Sequence, residues 1–458
     1  MSTKKLLLIT APVTSRSGYG DHARDLARAF MYGDKYDVKI FDVRWGDCPR
    51  NALDANNPRD IGILNNITLP EQMDKNYPGR KPDIYVDIRI PNEFQQIGAF
   101  NIGVTAGIET NMVSGKWIEH CNKMDLCIVP SNHSKDMFVK SVYDAVQQMP
   151  DGSQQKVGEL KLEKPMEVLF EGVDTDVFKP LDTKDIPKEF LDWIDEIAPE
   201  EHAFLFTGLW GTGTFGEDRK DIFTLIKNFY ETFANKKKQP SLILKTSGAG
   251  FSLLGGEEIK RKVRSVKRLF PSDTKLPNVY LLHGSLTETE MNYLYNHPKI
   301  KAMVSLTHGE GFGRPLLEAT MVGLPVIAPN WSGQIDFLKD GCSILLGGDI
   351  EKVPKSAHWQ DIILPESSWF YVNQQDVCKS FAYTFDNSQE FREKAKKLME
   401  MNRNEFSLQI MTDKLHEILD NVTGDMPTLT TVKLPKLNRK EEQPELPKIK
   451  IPKLKKLK

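Results

Sequence analysis

No apolar run in this 458-residue chain reaches the length needed to span a bilayer. The Met1-Ser-Thr-Lys-Lys5 start passes directly into a short strand-like run, Leu6 to Thr10, and does not read as a signal peptide. Cysteine is sparse, and its spacing excludes both a disulfide framework and a zinc site. Cys48, Cys121, Cys127, Cys342 and Cys378 are odd in number and scattered, as expected of reduced, mostly packed cysteines in a cytoplasmic protein. An excess of either charge is missing overall, but the net charge of −2 hides a segregation. Residues 433–458 carry ten Lys or Arg against three Glu, a balance of +7, which leaves the rest of the chain near −9. That basic segment has no aromatic side chain for stacking on bases. What remains, 40% hydrophobic and 27% charged, is the composition of a soluble globular protein long enough for two or three domains.

Short β-rich runs recur at helix-length intervals. The first series is Leu6 to Thr10, Val38 to Val43, Ile84 to Ile88, Ile102 to Ala106, Leu126 to Pro130 and Glu167 to Phe170. The second is Phe204 to Thr207, Leu242 to Lys245, Val279 to His283, Ala302 to Leu306, Val326 to Ala328 and Ser343 to Leu346. Runs this short, bounded by Gly, Pro, Asn or Asp, predict parallel sheets built by βαβ crossovers. Two series of six predict an α/β chain of two doubly wound domains, residues 1–185 and 186–385, divided within the proline-interrupted stretch Pro180 to Pro199. Within the first, the polar stretch Gln147 to Gly158 reads as a surface loop. Asp376 to Val422 has helical spacing, predicting two or three helices, with 386–422 packing back across the domains. Residues 423–458 turn to Pro-Lys-Leu units, as in Leu434-Pro-Lys-Leu437, and predict an extended, disordered tail.

The densest chemistry lies in His308-Gly-Glu310-Gly-Phe-Gly-Arg-Pro-Leu-Leu-Glu318, between a strand-like run and a helix ended by Gly323. A glycine loop lets backbone approach a ligand closely, and free N–H groups at a helix start attract anions. Carboxylates eight positions apart suit hydroxyl groups instead, because an ionised carboxylate accepts hydrogen bonds from a sugar or a ribose. A ligand with both phosphates and hydroxyls, such as a nucleotide sugar, would use every part of the loop. The alternative is an ordinary glycine turn with an ordinary helix glutamate.

Other segments carry paired readings. Ser17-Gly18-Tyr19-Gly20-Asp21 follows the first strand and could offer a phosphate or acceptor loop, or only a tight turn; it lacks the third glycine of a dinucleotide fingerprint. Arg219 and Lys220 follow the second series' first strand, where they could neutralise a diphosphate or simply be solvated, and Lys245 is a third cation of the same kind. Glu109 ends the fourth strand and is either a cleft carboxylate or a capping residue. His283 and His308 are either polar walls of a site or satisfied core histidines. Asp174-Thr-Asp176 formally matches an acidic metal-binding pattern, but Gly172 and Pro180 nearby favour a turn, so no metal is expected.

Taken together, these residues resemble the retaining glycosyltransferases of the GT-B fold, in particular glycosyltransferase family 4 and its mannosyltransferase-like branch. The resemblance covers about residues 1–422. It is carried by Glu310-Gly-Phe-Gly-Arg-Pro-Leu-Leu-Glu318, by Gly323-Leu-Pro-Val-Ile-Ala-Pro-Asn-Trp-Ser-Gly333, by Phe170-Glu-Gly-Val-Asp174 through Pro180, and by Trp117 to Asp125 with Val129-Pro-Ser131. It implies two Rossmann-like domains facing a cleft, an acceptor-side N-terminal domain and a donor-binding C-terminal one. Glu310 would bind hydroxyls of the donor sugar, with Gly311, Phe312 and Gly313 near sugar and diphosphate. Glu318 would hold the ribose, and Lys220 matches the family's phosphate-binding lysine. Lys245, His283 and Ser332 would complete the donor side. Where the family has an arginine just after Gly208, this chain has Leu209 and Trp210, so Arg219 is the substitute. Where many relatives have a histidine after the fourth strand, Glu109 is the nearest residue.

The implied reaction moves a sugar from a GDP- or UDP-linked donor to an acceptor hydroxyl with retained configuration, without cofactor or metal. The acceptor would be a glycan, a lipid-linked molecule or a nucleic acid. The 433–458 tail motivates a second reading, transfer to hydroxylated DNA bases with the tail on the phosphate backbone. A third is a catalytically silent GT-B-like binding protein.

Overall fold

The apolar run after Lys5 is buried on both faces: Leu6, Leu7 and Ile9 expose no surface. A strand covered on both sides belongs inside a parallel sheet flanked by helices. The computed structural model describes residues 4–149, 153–211, 213–247 and 252–423. It places that run as strand β1 (Lys5–Ala11), followed by helix α1 (Gly18–Met31), β2 (Tyr36–Asp42), α2 (Pro58–Asn66), α3 (Pro70–Asn76), β3 (Ile84–Ile88), β4 (Phe100–Val104), α4 (Gly115–Cys121), β5 (Leu126–Val129) and α5 (Asn132–Lys140). A hairpin of β6 (Tyr143–Gln148) and β7 (Gln154–Leu160) follows, and β8 (Met166–Val168) closes the first domain. The six strands order β2-β1-β3-β4-β5-β8, all parallel, with the order reversing between β1 and β3.

After α6 (Lys188–Ile197) the second domain repeats the scheme: β9 (Ala203–Leu209), α7 (Ile222–Phe233), β10 (Ser241–Ser247), α8 (Leu253–Lys267), β11 (Val279–Leu282), α9 (Glu288–Asn296), β12 (Ile300–Val304), α10 (Arg314–Met321), β13 (Val326–Pro329) and β14 (Ile344–Leu346). Its order β11-β10-β9-β12-β13-β14 is again parallel and reverses between β9 and β12. In open α/β sheets ligands bind at such a switch, outside the carboxyl ends of the strands. The expectation of two doubly wound sheets in a GT-B arrangement is therefore met.

Two hairpins depart from the sequence reading. Gln147 to Gly158 is no plain loop, since β6 and β7 pair antiparallel across it. Both its faces are largely open to solvent, with Val146 and Val157 exposed, so no apolar alternation marks it as strand. The second hairpin, β15 (Gly348–Lys352) with β16 (Ser368–Val372), was not anticipated. The segment between its strands reaches the first domain, where Ile362 joins the Phe94, Trp117 and Phe138 cluster and Asp361 pairs with Lys116 at 3.1 Å.

Three helices complete the described chain: α11 (Gln374–Asp386), α12 (Ser388–Glu405) and α13 (Leu408–Thr423). Asn402 on α12 donates to Thr320 Oγ1 at 2.8 Å, and α13 lies on α1, where His416 Nε2 donates to Ala29 O at 3.0 Å. Phe406, between α12 and α13, meets Phe170 edge-on at 5.0 Å and joins the two domain cores. The basic tail of the sequence reading lies outside the described residues. Among the described residues no helix is long and apolar enough to cross a membrane.

Arg403 holds this crossover. Its guanidinium donates to Phe178 O (2.8 Å), Thr175 O (3.1 Å) and Met321 O (3.2 Å), joining the interdomain connection to the end of α10. Arg403→Met should strand these acceptors, cost about 1–3 kcal/mol, and lower the melting temperature. An unchanged melting temperature would contradict the clasp.

Candidate active site

At the switch of the second domain the loop after β9 meets the loop after β12. Arg219 and Lys220 end the first loop, and Glu310 stands in the second. His308 N donates to Arg219 O at 2.7 Å and Arg219 Nη1 donates to Gly309 O at 3.0 Å, so each loop fixes the other. The same guanidinium reaches Glu310 Oε2 at 3.1 Å, while Lys220 Nζ pairs with Glu310 Oε1. Arg219 Nε also lies 3.5 Å from Glu109 Oε1 of the first domain. Burial alone would raise the Glu310 carboxyl, but Lys220 and Arg219 outweigh it and hold it at about 2. Burial lowers Lys220, with Glu310 opposing. Burial also works against the Arg219 charge, yet Glu109 and Glu310 leave that guanidinium raised. Two cations thus share two carboxylates, and an arriving diphosphate would find the cations already in place.

Glycines set how closely the domains meet here. A Cβ on Gly309 would strike Glu109 O, and one on Gly311 would strike Ala106 O, both in the first domain. Gly311 O accepts from Ser131 Oγ at 2.6 Å across the cleft. Ser332, at φ 71°, accepts from Glu310 N at 2.9 Å and donates to Gln334 Oε1 at 2.9 Å, so its side chain braces the glutamate loop. Phe312 turns inward against Phe337, with ring centres 5.1 Å apart, and anchors the loop in the core.

His308 is a buried wall residue bonded through one ring nitrogen only: its Nε2 finds no hydrogen-bond partner among the described residues and lies 3.7 Å from Asp221 Oδ2. Its Nδ1 donates to Phe370 O at 2.7 Å and its ring stacks on Trp369 at 4.6 Å. Burial holds its pKa down, with Asp221 opposing. On the same side Trp331 stacks on Phe370 and takes the edge of His133 from the first domain at 4.8 Å.

Residues 217–348, the segment that carries this geometry, match the family model described as glycosyl transferases group 1. The chain is a glycosyltransferase with a group 1 domain. No curated protein matches it. Among solved structures it is similar to sucrose-phosphate synthase from Thermosynechococcus elongatus, with TM-score 0.60, 12% identity, and coverage of 92% of this chain and 100% of that one. It is also similar to a glycosyltransferase from Rickettsia africae, with TM-score 0.56, 15% identity, and coverage of 93% and 100%. A third likeness is to Anabaena HepE in complex with UDP and glucose, with TM-score 0.55, 13% identity, and coverage of 91% and 100%. At these identities the likeness concerns the fold.

The glycosyltransferase distributes its other predicted site residues around this centre. Glu318 sits on α10 with Arg314 Nε donating to Oε1 at 3.0 Å and Tyr295 OH to Oε2 at 3.2 Å. Lys245 donates to Gly284 O at 2.7 Å, and burial lowers it to about 8. His283 Nε2 bonds Ser252 O at 3.0 Å. No hydrogen bond or ion pair among the described residues joins Lys245 or His283 to the Glu310 group. Gly18 and Gly20 open α1, whose N-cap Ser17 already accepts from Gly20 N. Tyr19 bonds Thr105 Oγ1 at 2.9 Å, accepts from Ala106 N at 3.1 Å, and stacks on Trp45. That places it beside the β4 end that faces Gly311. Asp174 accepts from Asp176 N at 2.9 Å and pairs with Arg59 at 2.7 Å, the turn expected of it.

Sequence reasoning passed over Arg314, Asp25 and Glu171. Arg314 could have been found, because it stands inside the motif four residues before Glu318, the spacing of a helical ion pair. Asp25 and Glu171 carry no such signal. Burial lifts the Glu171 carboxyl to about 8, with Arg314 opposing. A carboxyl raised on folding binds more protons in the native state. Its stabilisation is therefore complete below the usual carboxylate range and is lost as pH rises through about 8. Glu171→Gln should remove that loss, so the fall in melting temperature from about pH 6 to about pH 8.5 should be smaller in the variant. An equal fall in both proteins would refute the assignment.

Proposed function

We propose that the protein is a metal-independent, retaining glycosyltransferase of family 4, acting in the cytoplasm on a nucleotide-diphosphate sugar. The observation that carries this reading is the Arg219–Glu310–Lys220 cluster at the β9/β12 switch, inside the segment that matches the group 1 family. Glu310 would exchange its cations for hydroxyls of the donor sugar, and Arg219 and Lys220 would turn to the diphosphate. Glu318 would accept from the ribose hydroxyls, with Lys245, His283 and Ser332 on the donor side and Gly18, Tyr19 and Gly20 toward the acceptor.

The acceptor oxygen forms a bond to the anomeric carbon as the bond from that carbon to the diphosphate oxygen breaks. The acceptor proton passes to a phosphate oxygen of the leaving group. Arg219 and Lys220 stabilise the negative charge that grows there, the work a metal does elsewhere. Glu109, beside Arg219 from the first domain, would hold that guanidinium in line and face the positive character that develops on the sugar. HepE, similar in fold, is seen with UDP and with UDP-glucose, which favours UDP over GDP as the first donor to test. The mannosyltransferase-like resemblance keeps GDP as the second.

Lys220→Ala should lower kcat by about 10²–10³, the range for loss of one stabilising donor at a developing anion. Glu310→Gln should also lose transfer, yet bind free UDP or GDP as tightly as the parent or more so, because Arg219 and Lys220 are released. Calorimetric titration and a radiolabelled transfer assay check both. Near-normal turnover by either variant would sink the site assignment.

A second reading, transfer to hydroxylated bases of DNA, is favoured by one surface. Lys236, Lys237, Lys238, Arg261, Arg264, Lys267, Arg268 and Lys275 are exposed on the second domain, and no ion pair among the described residues engages them. Arg261 and Arg264 on α8, with Arg268 at its C-terminal cap, suit phosphate oxygens. Duplex binding should then weaken steeply with salt, and charge reversal at Arg261, Arg264 and Arg268 should flatten that dependence. Salt-insensitive or absent binding would leave the glycan or lipid-linked acceptor. A silent binding protein would be the better account if no nucleotide diphosphate raised the melting temperature.

A further inference from the structure

Glu318 does not lie in a neutral pocket. Its oxygens accept from Arg314 on its own helix and Tyr295 on α9, the charges of Asp21 on α1, Glu171 after β8 and Glu288 on α9 act on it, and Asp25 on α1 reaches it through Arg314. Asp21 is paired with Arg24, Asp25 with Arg28 and Arg314, and Glu288 with Arg59, and the surroundings are closed: Arg314 is 7% exposed and Asp25 is 2% exposed. Arg314 is fixed from both sides. Its Nε donates to Glu318 Oε1 at 3.0 Å, and its Nη1 donates to Asp25 Oδ2 at 2.5 Å across the domain boundary. Asp25 is itself held by Arg28 Nη1 at 2.8 Å, and Arg28 Nη2 reaches Asp60 at 2.9 Å.

A ribose presents hydroxyl donors, so its partner must be an acceptor. An ionised carboxylate offers two accepting oxygens, whereas a protonated one spends an oxygen carrying its proton. Burial drives Glu318 toward the protonated form, to about 7. Arg314 is the strongest influence acting against burial, while Asp21 and Glu288 reinforce it. The Arg314 guanidinium therefore favours the form of Glu318 in which both oxygens can accept from the ribose.

We propose that Arg314 is a positioning residue for donor binding, which keeps the Glu318 carboxylate ionised and aimed, with its own fork fixed by Asp25 of the opposite domain. This rests on the reading of Glu318 as the ribose ligand. It assigns to the arginine inside the motif a role in the pH range of donor affinity and none at the reacting atoms.

The test is donor KM, kcat and direct nucleotide binding from about pH 6 to about pH 9 in four variants of the full chain. Arg314→Leu should raise donor KM about tenfold or more at neutral pH with kcat nearly unchanged, and KM should recover as pH rises and Glu318 ionises. Arg314→Lys should restore much of the neutral-pH affinity. Asp21→Asn, a half-exposed position that weakens the pair with Arg24 but leaves the Arg314–Asp25 and Arg314–Glu318 pairs in place, should move the profile the opposite way and tighten binding at the acid end. Glu318→Gln should show high KM at every pH.

A pH-independent KM in Arg314→Leu, or an unshifted profile in Asp21→Asn, would overturn the proposal while leaving the ribose assignment intact. A normal KM in Glu318→Gln would overturn the ribose assignment and the proposal with it. If Arg314→Leu does not fold, Arg314→Lys and Asp21→Asn still decide the matter, since their profiles must shift in the directions stated.

Discussion

One carboxylate shared by two cations organises this protein. Glu310 lies between Arg219 and Lys220, and the three groups come from two loops that are distant in sequence and adjacent only where the sheet order reverses. Burying opposite charges is favourable only when each is closely paired and the remaining polar groups are bonded. Here the backbone supplies that condition: Arg219 O accepts from His308 N, and Glu310 N donates to Ser332 Oγ. The cost of desolvating the cluster is met by its own geometry, so it stands ready for a ligand that carries both anionic and hydroxyl groups.

The glycines around the cluster serve the contact between domains more than flexibility. Gly309 and Gly311 approach backbone carbonyls of the first domain at separations that leave no room for a Cβ. The segment between β15 and β16 and the pair α12–α13 then cross between domains at other points. The cleft is therefore bounded by packed backbone on one side and by a layer of aromatic rings, Trp331, Trp369 and Phe370, on another.

Much of this was legible beforehand. The alternation of short apolar runs foretold both sheets, because strands buried on two faces are continuous in hydrophobicity. The apolar runs on either side of the Glu310 loop foretold a strand, a glycine loop and a helix. The β6–β7 hairpin was not legible, since its two faces are solvated and its residues are chosen for neither. Ser332 and Phe312 lay in readable motifs, yet their side chains brace and anchor the loop, which no motif states. Arg314 was visible as a residue, but its partner Asp25 lies in the other domain, 289 positions away.

Local sequence determined the kinds of element, their order, and which loops would carry carboxylates and cations, because burial pattern and glycine placement act over a few residues. Only the tertiary structure decided which charges meet. Arg219 could have been solvated, His308 could have faced a ligand, and Glu318 could have stood alone. Strand order and domain packing brought each to its partner, and electrostatic pairing depends on distances of a few ångströms that no linear pattern encodes.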